Sequence, residues 1–168
     1  MGHGQMLRVS KVEDWLHRAP TRPNLSTQGD CVIIRSSQSY DGRQGVSLTS
    51  GVSSHSAGAK ALCLHLVMIP PGSRGMPHFH AGHESAVYTV SGETEVWHGA
   101  GLVRRTVVRA GDFMYIPPGT PHLPVNRGDV MAIAVVARTD PDEQESVVVL
   151  DLPRHLADLL SLPIAVPD

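Results

Sequence analysis

The sequence predicts an all-β domain, a sandwich or barrel of short antiparallel strands. Three observations carry this. Short apolar, strand-like stretches recur between positions 46 and 150. Nearly every neighbouring pair is separated by a glycine- or proline-containing turn, such as Ser91-Gly92, Gly99-Ala100-Gly101, Ala110-Gly111, Pro117-Pro118-Gly119 and Arg127-Gly128. These turns are too short for the crossover helix that a parallel pair needs.

Taken in order, Ser10-Lys11-Val12-Glu13 has the form of a capping box, which predicts a short helix over 12–18, ended by Pro20. Residues 20–30 are polar and interrupted by Pro23, as in a linking arm. A strand is expected at 31–35 and a polar, turn-rich segment at 36–45. Strands follow at 46–52 and 60–69, separated by 53–58 and stopped by Pro70-Pro71-Gly72. Further strands are expected at 86–90, 94–97, 102–108, 113–116, 122–125, 130–137 and 146–150. Leu156, Leu159 and Leu160 fall at i, i+3 and i+4, which predicts an amphipathic helix over 154–162. The chain thus divides into an N-terminal helix and arm (1–44), a β-barrel (45–150) and a C-terminal helix and tail (151–168).

Composition narrows the class. A chain of 168 residues is long enough to bury a core without disulfides, and an apolar fraction of 41% is that of a globular protein. No apolar run reaches the roughly 20 residues of a membrane span, and the first ten residues lack the apolar stretch of a signal peptide. A cytoplasmic protein is expected, with no membrane partner. Fourteen basic and sixteen acidic side chains give a net charge of -2, which argues against nucleic acid as a partner. Cys31 and Cys63 are expected to be reduced thiols.

The ten histidines point to a site. His78, His80, His83 and Glu84 stand within seven residues, and imidazole with carboxylate suits Zn, Fe, Mn, Ni or Cu better than Ca or Mg. On a strand, His78 and His80 share a face. Glu84 lies about 13 Å beyond His80 along a straight strand, too far for a common ion, so the chain must turn at Ala81-Gly82. His122 follows the rigid Pro117-Pro118-Gly119-Thr120-Pro121 segment, which presents it from a second strand.

These residues resemble the two motifs of the cupin superfamily. Gly72, His78, His80, Glu84 and Gly92 match the first, and Gly111, Pro117, Gly119, His122 and Asn126 match every fixed position of the second. One spacing departs: seven residues separate Glu84 from Gly92, where the family pattern has six. Counted from Gly92, Ser85 holds the carboxylate's place; a bulge before Gly92 would reconcile the two counts. Glu84 is the favoured ligand, with His83 as third ligand, or Glu84 outside the ligand set, as the alternatives. The segment 83–92 and the later 137–146 are also similar to a subgroup of small bacterial cupins without an assigned activity.

The resemblance implies a double-stranded β-helix, or jelly roll, holding one divalent transition metal (Zn, Fe, Mn, Ni or Cu) on His78, His80, Glu84 and His122, and commonly a homodimer. It implies a metal-dependent enzyme acting on a small organic molecule, of the dioxygenase, decarboxylase, isomerase, lyase or natural-product cyclase kind. A non-catalytic module that binds or senses a small ligand is the alternative. Outside the motifs, Cys63 is expected to pack in a sheet, His65 to be a hydrogen-bonded structural histidine with a place lining the barrel as its alternative, and Trp97 and His98 to lie at a rim or dimer contact. Arg104, Arg105 and Arg109 read as a solvated strand and turn. Alternation does not decide which of Phe79, Tyr88, Met114 and Tyr115 face the interior.

Overall fold

The structure, a computed structural model, describes residues 30–35, 39–142, 144 and 146–165. The helix expected over 12–18 lies outside the described residues. Twelve strands occur among those described: β1 (Ser39–Asp41), β2 (Ser47–Val52), β3 (Cys63–Ile69), β4 (Ser73–Arg74), β5 (His78–His80), β6 (Ser85–Ser91), β7 (Glu93–His98), β8 (Arg104–Arg109), β9 (Phe113–Ile116), β10 (His122–Asn126), β11 (Ala132–Arg138) and β12 (Val147–Val149). They form two six-stranded sheets, one in the order β1-β2-β3-β11-β6-β9. The other runs β12-β5-β10-β7-β8, with β4 also pairing with β10. Every pairing between these strands is antiparallel. This is the antiparallel sandwich that the turn spacing predicts, in the jelly-roll arrangement that the resemblance implies. No helix among the described residues is long and apolar enough to cross a membrane.

Differences from the sequence reading cluster where local geometry outweighs pattern. Residues 31–34 form no strand, and Arg35 makes only a single bridge. The short β1 and β4 carry too few residues to show an alternation. The segment 53–58 is not an open turn but a one-turn helix, α1 (Ser54–Ala57). Ser53 caps it reciprocally with Ser56, and Gly58 closes it at φ 68°. β8 begins at Arg104 rather than 102, because Ala100–Leu102 forms a 3-10 turn. That turn holds Leu102 at φ 55°, a conformation that costs a side chain roughly 1–2 kcal/mol. Leu102 is fully buried against Leu123, Val125, Leu156 and Leu159, and this packing offsets the strain.

That cluster covers the outer face of the second sheet. The C-terminal segment Arg154–Ser161 is a 3-10 helix, kinked at Leu156. In a 3-10 helix, residues three apart stand one above the other, so Leu156 and Leu159 enter the cluster side by side, with Trp97, Leu152 and Leu162 around them. Trp97 is therefore a core contact, not a rim residue. The tail is tied down by buried Arg74, whose Nε donates to the Leu159 carbonyl at 2.8 Å, and by Ala165 N–H to the Arg74 carbonyl at 2.8 Å. Leu159→Ala is expected to lower stability by about 3 kcal/mol. Thermal denaturation should show a melting point lower by roughly 6–12 °C.

The first sheet differs. Its inner face contributes Val46, Leu48, Ile69 and Ala132 to a second cluster, with Ala165. Its outer face carries exposed Leu64, Tyr88, Phe113 and Tyr115, in register across β6 and β9 at Tyr88–Phe113 and Ala86–Tyr115. The arginines of β8 are solvated, and two of them are paired: Arg105 meets Glu95 at 2.7 Å and Arg109 meets Glu93 at 3.2 Å.

Candidate metal centre

Three histidines from two strands converge inside the barrel. His78 and His80 are alternate residues of β5, and His122 opens β10 directly opposite His78 in the register. All three are buried, and their ligand nitrogens lie within 4.8 Å of one another. Ring centroids are 4.1 Å apart for His78 and His122, 5.1 Å for His78 and His80, and 5.5 Å for His80 and His122. The proline-rich turn sets this arrangement. Gly119, at φ 68°, donates its N–H to the His80 carbonyl at 2.9 Å, which anchors the turn beside β5 just before the chain enters β10.

The protonation pattern suits a metal. His78 Nδ1 lies 2.8 Å from the Met76 carbonyl and His122 Nδ1 lies 2.9 Å from the Thr120 carbonyl. A carbonyl only accepts, so each Nδ1 carries the proton and each Nε2 keeps its lone pair for a ligand role. The buried Nδ1 of His80 finds no hydrogen-bond partner among the described residues, an orphan that a ligand would explain. Burial holds all three rings neutral. It pushes His122 down to about 4, against the opposing Thr120 hydrogen bond and with the Arg138 charge adding. It pushes His78 well below its ordinary value, with His122 and Arg138 adding. His80 is lowered by burial first and by Arg138 second. Ligands of one ion at 2.0–2.1 Å stand about 3.3 Å apart in a tetrahedral set, so three nitrogens within 4.8 Å of one another each need a shift of about an ångström or less. The residues present fit a transition metal.

Glu84 does not join them. The chain does turn after His80, with Gly82 at φ 74°, and passes into the other sheet. β6 then starts at Ser85, and Ser85, Val87 and Thr89 face the cavity. Glu84, one residue earlier, falls on the opposite face: it is exposed, and its Oε2 accepts a hydrogen bond from the Tyr115 hydroxyl at 2.8 Å. The register does slip before Gly92, stepping from Thr89 to Ser91 past Val90. That bulge lies beyond Thr89, so the alternation from Ser85 to Thr89 is unbroken and Glu84 stays outside. His83 is also elsewhere, its Nδ1 donating to the Thr139 carbonyl. Ser85 is the residue that lines the cavity at the end of β6.

The cavity beside the imidazoles measures about 90 Å³ and is mostly apolar, walled by residues such as Val67, Val87, Val96, Met114, Ile116 and Val136. Met114 thus faces inward, while Tyr88 and Tyr115 face solvent. One lining residue escaped the sequence reading. Arg138 is buried and its Nε donates to Ser85 Oγ at 3.1 Å; the only signal for it was its phase with Ala134 and Val136 on β11. His65 takes the other place open to it and lines the cavity. Its Nε2 is buried without a partner, and burial followed by the Arg138 charge holds it neutral, down to about 3. Cys63 Sγ lies 3.9 Å from its Nδ1.

Comparison with known proteins agrees with this architecture. Residues 65–138 match the family model described as Cupin domain. The polyketide cyclase RemF from Streptomyces resistomycificus superposes with a TM-score of 0.59 at 22% identity, covering 75% of this chain and 88% of that one. The oxalate decarboxylase OxdC of Bacillus subtilis superposes with a TM-score of 0.58 at 23% identity, covering 67% of this chain. The match spans only 30% of the decarboxylase chain, a protein with Mn(II) centres. No curated protein sequence matches significantly.

Proposed function

We propose that this chain, whose residues 65–138 match the cupin domain model, is a metal-dependent enzyme acting on a small organic molecule inside the barrel. The observation that carries the reading is the meeting of three buried, neutral imidazoles beside an apolar cavity. His78, His80 and His122 would hold one divalent transition metal. Three protein ligands leave coordination positions free for a substrate. A metal bound there supplies Lewis acidity toward a substrate oxygen.

The chain's own residues supply the rest. The Met76 and Thr120 carbonyls fix the tautomers and orientation of His78 and His122. The valine, isoleucine and methionine walls exclude water from the bound molecule. The cyclase and decarboxylase likenesses support catalysis on this fold without selecting the reaction. The homodimer implied by the resemblance is part of the same proposal; sedimentation equilibrium is expected to give twice the 18.0 kDa chain mass.

Elemental analysis of protein purified without added metal or chelator tests the reading, with about one divalent transition metal per chain expected. A metal-free protein that nevertheless binds small ligands tightly would replace the enzyme with a binding module. Glu84→Gln is expected to leave metal content unchanged, because the carboxylate faces Tyr115 and not the imidazoles. A sharp loss of metal in that variant would return Glu84 to the ligand set.

A further inference from the structure

Among the described residues that line the cavity there is no acidic side chain. The polar ones are the four histidines, Gln44, Ser85, Thr89, Thr94 and Arg138, and the remainder are aliphatic residues, methionine and proline. Three neutral imidazoles leave a divalent ion's positive charge uncompensated, and charge without a partner is costly in surroundings of low polarity. Arg138 adds a further positive charge to the lining, so an anionic ligand is the occupant that this charge balance favours.

An independent observation lies on the other sheet. His65, on β3, presents a buried Nε2 with no partner to the same cavity. The Cys63 thiol, 3.9 Å from Nδ1, is a weak donor placed to occupy that nitrogen. In the tautomer that accepts the thiol at Nδ1, the neutral ring carries its proton on Nε2 and presents a donor to the cavity. Ser85, at the position that the family pattern counted from Gly92 gives to a carboxylate, is short and is held by Arg138. The space a longer acidic side chain would fill is left to the cavity.

We propose that the site binds a small organic anion whose charge sits on oxygen, as in a carboxylate or enolate. The anionic oxygen faces the His78–His80–His122 cluster and accepts from His65 Nε2–H, while an aliphatic body packs on Val67, Val87 and Val136. A cavity of about 90 Å³ is smaller than the roughly 150 Å³ that admits benzene, so the body that fits entirely inside is that of a short aliphatic acid. The inference rests on the metal reading, and the experiment separates the two.

The cobalt(II)-loaded protein is titrated with isobutyrate and with its neutral isostere isobutyramide, following the visible spectrum of the metal. Isobutyrate is expected to shift the bands with an affinity about tenfold or more above that of the amide. His65→Leu is expected to weaken isobutyrate binding by about tenfold with cobalt content unchanged. Ser85→Glu builds the missing carboxylate into the cavity and is expected to retain cobalt while losing the response to isobutyrate; Ser85→Asp is the companion variant should the longer side chain prevent folding. Equal affinities for the acid and the amide would overturn the inference, as would an unweakened response in both the His65 and Ser85 variants. Failure to take up cobalt at all, read by elemental analysis before any anion is added, would instead overturn the metal centre itself.

Discussion

Replacing His80 and His122 together by alanine is expected to strip the protein of its metal while the barrel stays folded. The two side chains come from different strands of one sheet, β5 and β10, and their removal leaves His78 as the lone imidazole of the cluster. One imidazole cannot chelate, so occupancy should fall from about one metal per chain to near zero. The barrel should survive because neither apolar cluster uses these residues: one is built around Leu48 and Ile69, the other around Leu123 and Leu159. The β10 backbone also keeps its ladders to β4, β5 and β7. Elemental analysis beside far-ultraviolet circular dichroism reads both halves of the prediction. Full metal content in the double variant would show that the ion binds elsewhere.

Acid should destabilise the metal-free protein over a defined window. His65 and His122 ionise at about 6.5 when unfolded, but burial holds them to about 3 and about 4 in the folded chain. Above pH 6.5 both states are neutral at these positions, and the rings exert no pH-dependent effect. Below it the unfolded chain binds protons that the folded one refuses, so stability falls as pH drops from 6.5 toward 4 and below. One unit of pKa separation corresponds to about 1.4 kcal/mol, so His122 alone removes on the order of 3 kcal/mol by pH 4. His78 and His80, displaced in the same direction, add to the loss. Urea titrations across pH 4–7 should show this fall, and His65→Leu should make it shallower. A stability that is flat through this window would mean that the rings are accessible to water in the folded state. Bound metal should displace the onset to lower pH, since protons then compete with the ion for the same nitrogens.

Much of the architecture was legible along the chain because it depends on local chemistry. Glycine and proline mark turns through their own backbone restrictions, so most strand positions and the antiparallel pairing followed from Ser91-Gly92, Gly99-Ala100-Gly101 and Pro117-Pro118-Gly119. The pairing of His78 with His80 followed from strand periodicity, and the approach of His122 from the stiffness of the turn before it. The short strands β1 and β4 were hidden, since two or three residues show no period, and β4 is held by β10, distant in sequence. The C-terminal leucine spacing announced a buried face, but not that Trp97 and a strained Leu102 would lie beneath it.

Sequence by itself determined which residue types and intervals could build a metal site: three histidines on two strands, spaced to meet. Tertiary structure decided the phase of β6. Whether Glu84 or Ser85 faces inward turns on a single-residue step, and one step in a strand reverses every side chain. The packing of Val87 and Thr89 into the barrel sets that phase and commits Ser85 to the interior and Glu84 to Tyr115. Arg138 and His65 entered the cavity by the same rule, from strands distant in the chain. A residue's face is a property of the sheet it joins, and no count of spacing within one segment contains it.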